Sequence, residues 1–163
     1  MGNISNRPKI SNFIVKAIRG TLEHRATWLY LLLKEAEKKG LGWEDIGYPA
    51  IHACGNLHGR ELVRQGDTDS LKGLKKTLFT LPARIVFEMK ILESSAHRLS
   101  IDFGYCPLVG AWQKLGCTDE EIGRLCDIAM EGDRGIAESY GGKLDLGATI
   151  ARGAEKCQIR FVK

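Results

Sequence analysis

The sequence predicts an α+β domain: N-terminal helices, then a C-terminal antiparallel four-stranded sheet covered on one face by helices. Two observations carry this. Up to about residue 80, apolar residues recur at i, i+3 and i+4; beyond it, short runs alternate with a period of two. Those runs come in pairs separated by hairpin-length gaps, which makes neighbouring strands antiparallel, with the helices packed on one face. A chain of 163 residues is expected to form a single domain with a real core, and 44% hydrophobic with 27% charged residues suits that. Residues 1–9 read as a mobile tail. Residues 10–80 form a mainly helical half, and 81–163 a strand–strand–helix–helix–strand–strand half.

The first helix is expected from about Ser11 to Lys39, where Phe13, Ile14, Ala17, Ile18, Leu22, Trp28, Leu29, Leu32 and Leu33 fall at helical spacing and Gly40 supplies the stop. Gly42–Pro49 reads as a loop whose Trp43 folds back on the core. Ala50–Gln65 is a second helix with Ile51, Cys54, Gly55, His58 and Leu62 on one face. Asp67 or Asp69 can cap a third helix running through Leu71, Leu74, Leu78 and Phe79, and Pro82 ends it.

The period then changes. Ile85, Phe87, Met89 and Ile91 alternate with polar residues, as do Leu99, Ile101, Phe103 and Tyr105, across a turn near Glu93–Ala96. Pro107 suits the first position of a short helix closed by Gly116, with Trp112 inward; Trp28 also reads as core. Thr118 to Glu121 has the form of a capping box and opens a long helix ending at Gly141-Gly142. Leu144, Leu146, Ala148 and Ile150, then Cys157, Ile159 and Phe161, give the last two strands.

Composition excludes several classes. No apolar run approaches the ~18 residues of a membrane span. The net charge of +4 is spread along the chain without a basic stripe, so neither nucleic acid nor membrane is expected as a partner; a mild positive potential suits a small anionic ligand. Five cysteines, an odd number without an export signal or a C-x-x-C pair, point to free thiols in a reducing, cytoplasmic setting. A homodimer is the base-rate expectation.

Chemistry concentrates between Tyr105 and Tyr140. Ile122, Cys126, Ala129, Ile136 and Tyr140 form the inward stripe of the long helix, and Asp133 lies in that stripe seven residues after Cys126. A charge there is costly unless paired or bound, so Asp133 either braces the fold against an arginine such as Arg84 or Arg152, or serves a ligand. Cys106 precedes Pro107 at a helix N-cap, where partial positive charge favours a thiolate, or it simply ends a strand. Cys157 takes the inward register of the last strand. Three thiols and one carboxylate can thus converge between helix and sheet. His58 shares a turn with Cys54, too few ligands for a metal site on their own.

The run Phe103–Asp133, with Tyr105-Cys106-Pro107, Trp112, Gly116, Glu121, Cys126 and Asp133, resembles the L-2-amino-thiazoline-4-carboxylic acid hydrolase family, as does Gly153…Cys157-x-x-x-Phe161. The resemblance covers about Leu81 onward. It implies a hydrolase that opens a 2-amino-thiazoline ring, a small cyclic amidine, to a carbamoyl-cysteine. Cys106 would attack the amidine carbon with Asp133 and Cys126 completing the catalytic set. Alternatively Cys106, Cys126 and Cys157, with His58, would hold a divalent ion such as zinc or manganese that activates water. Arg98 or Arg152 would receive the substrate carboxylate, with His58 also on the substrate side. The competing reading is a non-catalytic small-ligand or metal-binding sensor domain using the same cluster.

Overall fold

A computed structural model describes residues 3–163. Helix α1 spans Phe13–Lys38 and starts where the Asn12 side chain accepts from the Val15 amide at 2.9 Å. It buries Val15, Arg19, Ala26 and Leu33. Arg19 pins its first half: the guanidinium lies 4.2 Å from the Tyr105 ring centroid, donates to the carbonyls of Val86 and Ile10, and pairs with Glu88 at 3.2 Å. Trp28, expected in the core, is 62% exposed, while Trp112 is buried and donates to Ala26 O at 3.1 Å.

Helix α2 spans Trp43–Gly66, so the expected loop Gly42–Pro49 is helical instead. Two interactions carry the first turns past the missing amide of Pro49. Trp43 is buried beneath Arg124, 4.6 Å from its ring, and Glu44 accepts two hydrogen bonds from Arg124 at 2.8 and 2.9 Å. Asp67 ends this helix in a left-handed conformation, φ 46°, rather than opening the next. Ser70 caps α3, Leu71–Thr77, by accepting from the Gly73 amide.

The segment expected to begin the first strand is a short helix, α4, Leu81–Val86, with Pro82 in its first turn. Glu88 breaks it with φ 52°. That conformation is held by the amides of Lys9 and Ile10, which donate to Glu88 Oε1 at 2.7 and 2.8 Å, and by Arg19. Strand β1, Met89–Ser94, follows, then β2, Arg98–Phe103. Helix α5, Pro107–Lys114, is closed by Gly116 at φ 77°. Helix α6, Asp119–Ser139, opens on the capping box: Glu121 N donates to Thr118 Oγ1 at 3.1 Å and Thr118 N to Glu121 Oε2 at 2.9 Å. Strands β3, Lys143–Leu146, and β4, Cys157–Val162, close the chain. Between them Ile150–Arg152 forms a 3-10 turn where a longer strand was expected, because Ile150 is buried against the core there.

The sheet has the order β1-β2-β4-β3, every pair antiparallel. This is the α+β architecture expected. Leu99, Ile101, Ile159 and Phe161 are buried in the core with Ile122, Leu125, Ile136 and Tyr140 of α6. Asp102, on the alternate register, is nearly inaccessible and pairs with Lys156 at 2.6 Å and Arg160 at 2.8 Å.

The N-terminal segment corrects a further expectation. Residues read as a mobile tail are tied down: Asn3 N donates to Asp119, Gln113 donates to Ile4 O, and Lys9 N reaches Glu88. Ile4 is buried. Met1 and Gly2 lie outside the described residues.

Helices α2 and α6 meet along glycines. A Cβ at Gly55 would lie 2.2 Å from Gly132 O, one at Gly135 2.5 Å from His52 O, and one at Gly59 2.5 Å from Ser139 Oγ. Backbone therefore packs on backbone, which fixes the rotation of α6 about its axis. Among the described residues no helix is long and apolar enough to cross a membrane.

Candidate functional site

The glycine seam occupies one side of α6. Cys126 and Asp133, seven residues apart, share a different side of the helix with buried Ile122, Ile136 and Tyr140. Strand β4 enters the same space from the sheet. Its first residue, Cys157, pairs with Phe103 at the end of β2, and Cys106 follows Phe103 by three residues. Cys106 is near enough to Cys126, Cys157 and Asp133 for charge on one to act on the other.

Cys106 is the N-cap of α5. Asn6 clamps its backbone, accepting from Cys106 N at 3.0 Å and donating to Cys106 O at 2.8 Å. This is why the N-terminal segment belongs to the site. The amides of Leu108 and Val109 face the sulfur without forming a cap hydrogen bond. Burial pushes the thiol pKa up and outweighs those amides and Arg25, while Asp133 adds to the rise. The expectation of a resting thiolate at Cys106 is therefore corrected: desolvation of the charged form wins over the helix terminus.

Cys126 is buried and its pKa is raised well above the thiol range, first by burial and then by the other two cysteines. Cys157 is pushed up to about 12 by burial and Cys106, although Ile150 N donates to its sulfur at 3.3 Å. Both behave as core thiols. Asp133 differs. Part of its surface is reachable by water, yet the protein packed around it raises its pKa to about 6, against the pull of Arg25 and Arg134. A carboxyl at that value exchanges protons near neutrality, as an acid–base group must.

Other expected site residues lie elsewhere. His58 and Cys54 are exposed on α2, because Gly55, Gly59 and Leu62 turn inward instead. Arg98 sits at the opposite end of β2 from Phe103, exposed beside Glu93 at 3.5 Å. Arg152 is close enough for its charge to act on Cys126, but its side chain is engaged by Asp127 at the surface. Among the described residues no three His, Cys, Asp or Glu side chains are arranged to hold a metal ion, so the expected Cys106–Cys126–Cys157 trio does not form one. Arg25 of α1, an exposed residue that the sequence did not mark, is near enough for its charge to pull down the pKa of both Cys106 and Asp133.

A search of curated proteins returned no match. Among solved structures, the fold is similar to a crystal structure of trafficking protein particle complex subunit 3 from Naegleria fowleri covalently bound to palmitic acid, at a TM-score of 0.54 and 16% identity, covering 86% of this chain and 93% of that one. At that identity the likeness is one of fold. The sequence model of L-2-amino-thiazoline-4-carboxylic acid hydrolase matches residues 19–161, extending the resemblance well into the helical half. The chain belongs to the L-2-amino-thiazoline-4-carboxylic acid hydrolase family.

Proposed function

We propose that this chain is a hydrolase that opens the ring of 2-amino-thiazoline-4-carboxylate or a close cyclic amidine. The observation that supports the reading is Asp133: a recessed carboxyl with its pKa raised to about 6, within electrostatic reach of Cys106, the one thiol of the cluster that is neither buried nor exposed. Asp133 takes the Cys106 proton as the sulfur attacks C2 of the ring. The C2–S bond breaks, and the proton passes from Asp133 to the departing sulfur. Water then adds to the same carbon with Asp133 again as base, the C2–Sγ bond to Cys106 breaks, and the carbamoyl-cysteine leaves with Cys106 reprotonated. Arg25 is the group suited to the substrate carboxylate, in place of Arg98 or Arg152. Cys126 and Cys157 support the wall of the site.

The similar fold that holds palmitic acid covalently favours a second reading, in which the cluster binds a small molecule without turning it over. The experiment is turnover of the thiazoline by the wild type, Cys106→Ser and Cys54→Ser. Hydrolysis lost in Cys106→Ser alone supports the enzyme. Protection of Cys106 from alkylation by a substrate that is never consumed supports the binder. Full activity in Cys106→Ser removes the nucleophile.

A further inference from the structure

We propose that the outer face of α1 is the contact between two copies of this chain, packed antiparallel about a two-fold axis near Gly20–His24. Ile14, Ala17, Thr21, His24, Trp28 and Leu31 recur at alternating spacings of three and four, on the side of the helix opposite buried Val15, Arg19, Ala26 and Leu33. Phe13 is 86% exposed, Ile14 68%, Trp28 62% and Leu32 64%. With Leu31 these side chains present roughly 600 Å² of apolar surface, the top of the range for a monomer and most of the ~800 Å² per partner of a stable interface. The indole N–H of Trp28 is already satisfied by His24 Nε2 at 3.0 Å, so its ring can be covered without stranding a donor.

Gly20 points to a covering helix independently. It lies inside α1, exposed, and a Cβ there would meet nothing within 4 Å. A glycine inside a helix weakens it, and among the described residues none lies close enough to require this one. Close approach of a second backbone does.

The pattern identifies the occupant. Antiparallel self-pairing sets Ile14 against Leu31, Ala17 against Trp28 and Thr21 against His24 of the second copy. Large residues meet small ones or other apolar ones at every step. A parallel pair would stack Trp28 on Trp28 and His24 on His24. The flanking charges Lys16, Glu23, Arg25, Lys34 and Glu35 are of both signs, unlike the basic flank of a helix that lies on an anionic membrane. Arg25, whose charge reaches Cys106 and Asp133, flanks this face.

The test is the solution mass of the full chain by sedimentation equilibrium, with Trp28→Asp, Gly20→Gln and the control Leu92→Asp, each checked for native circular dichroism. The expected result is a wild-type dimer of twice 18.1 kDa, unchanged in Leu92→Asp. Dissociation is expected to be at least about 100-fold easier in Trp28→Asp, as for a central aromatic anchor, and easier in Gly20→Gln. A wild-type monomer at every concentration overturns the proposal, including one that co-sediments with phosphatidylserine vesicles. So does a dimer that survives both α1 variants.

Discussion

A methyl group on Gly55 would come within 2.2 Å of the carbonyl oxygen of Gly132, one residue before Asp133. The helix that carries the acid is thus held by backbone contact with α2, and no side chain at that point can give way. Gly55→Ala must therefore push α2 and α6 apart. The expected cost is about 2–4 kcal/mol in denaturant unfolding, together with a shift in the Asp133 titration. Gly123→Ala is the matched control on the same helix: its nearest neighbour would be Ala151 O at 4.0 Å, so stability should hold or rise.

Asp133 is costly where it stands. Its folded pKa of about 6 lies above the unfolded carboxyl, so the native state binds the extra proton between roughly pH 4 and 6 and stability falls as pH rises through that window. Asp133→Asn should therefore be more stable than the wild type at pH 7, by about 2 kcal/mol, and less active. Equal or lower stability in Asp133→Asn would mean the carboxylate braces the fold.

Two other groups set opposite limits to stability. His52 bridges α2 to α6, its ring nitrogens 2.8 Å from Glu131 and 2.9 Å from Glu138, and these carboxylates raise its pKa. Its contribution is full below the unfolded histidine value and is lost as pH rises through the folded one, a loss that His52→Gln should abolish. Asp102 is the reverse. Burial works to raise its pKa, but Lys156 and Arg160 outweigh burial and lower it, so its contribution is present above the unfolded value and lost as pH falls through the folded one. Asp102→Ala leaves Arg160 and Lys156 without their acid and should cost about 2 kcal/mol at pH 7, discounted for the exposure of Lys156. Thermal unfolding from pH 3 to 9 checks both.

The thiols should divide by environment. Cys54 is exposed and should react first with a thiol reagent at pH 8. Cys106 should react slowly, and Cys126 and Cys157 only on unfolding, since burial raises all three. Mass spectrometry after timed alkylation gives the order. Early labelling of Cys126 or Cys157 would show that the helix–sheet space opens in solution.

The sheet half was legible because Leu99–Phe103 and Cys157–Phe161 alternate cleanly, and because the capping box at Thr118–Glu121 and the seven-residue step from Cys126 to Asp133 fix the long helix and its face. The misreadings have local causes. Pro49 suggested a loop, but Trp43 and Glu44 bond to α6 through Arg124, which lies 80 residues downstream of Glu44. Ile85 and Phe87 alternate with Met89 by coincidence, since Glu88 turns the chain between them. Trp28 reads as core because periodicity marks two faces of α1, one covered within the chain and one not. His58 reads as inward because it shares helical spacing with Ile51, Gly55 and Leu62, but the buried face of α2 is centred on Gly55, Gly59 and Leu62, and Cys54 and His58 fall outside it. Arg25 carries no sequence signal at all; the packing of α1 on α5 brings its charge within reach of Cys106.

The kinetics of ring opening against pH test the central claim most directly. The wild type should hydrolyse 2-amino-thiazoline-4-carboxylate with kcat/KM falling on the acid side of an apparent pKa near 6, and Asp133→Asn should lose on the order of a thousandfold and flatten that limb. An Asp133→Asn protein with the wild-type rate and the wild-type pH profile would contradict it.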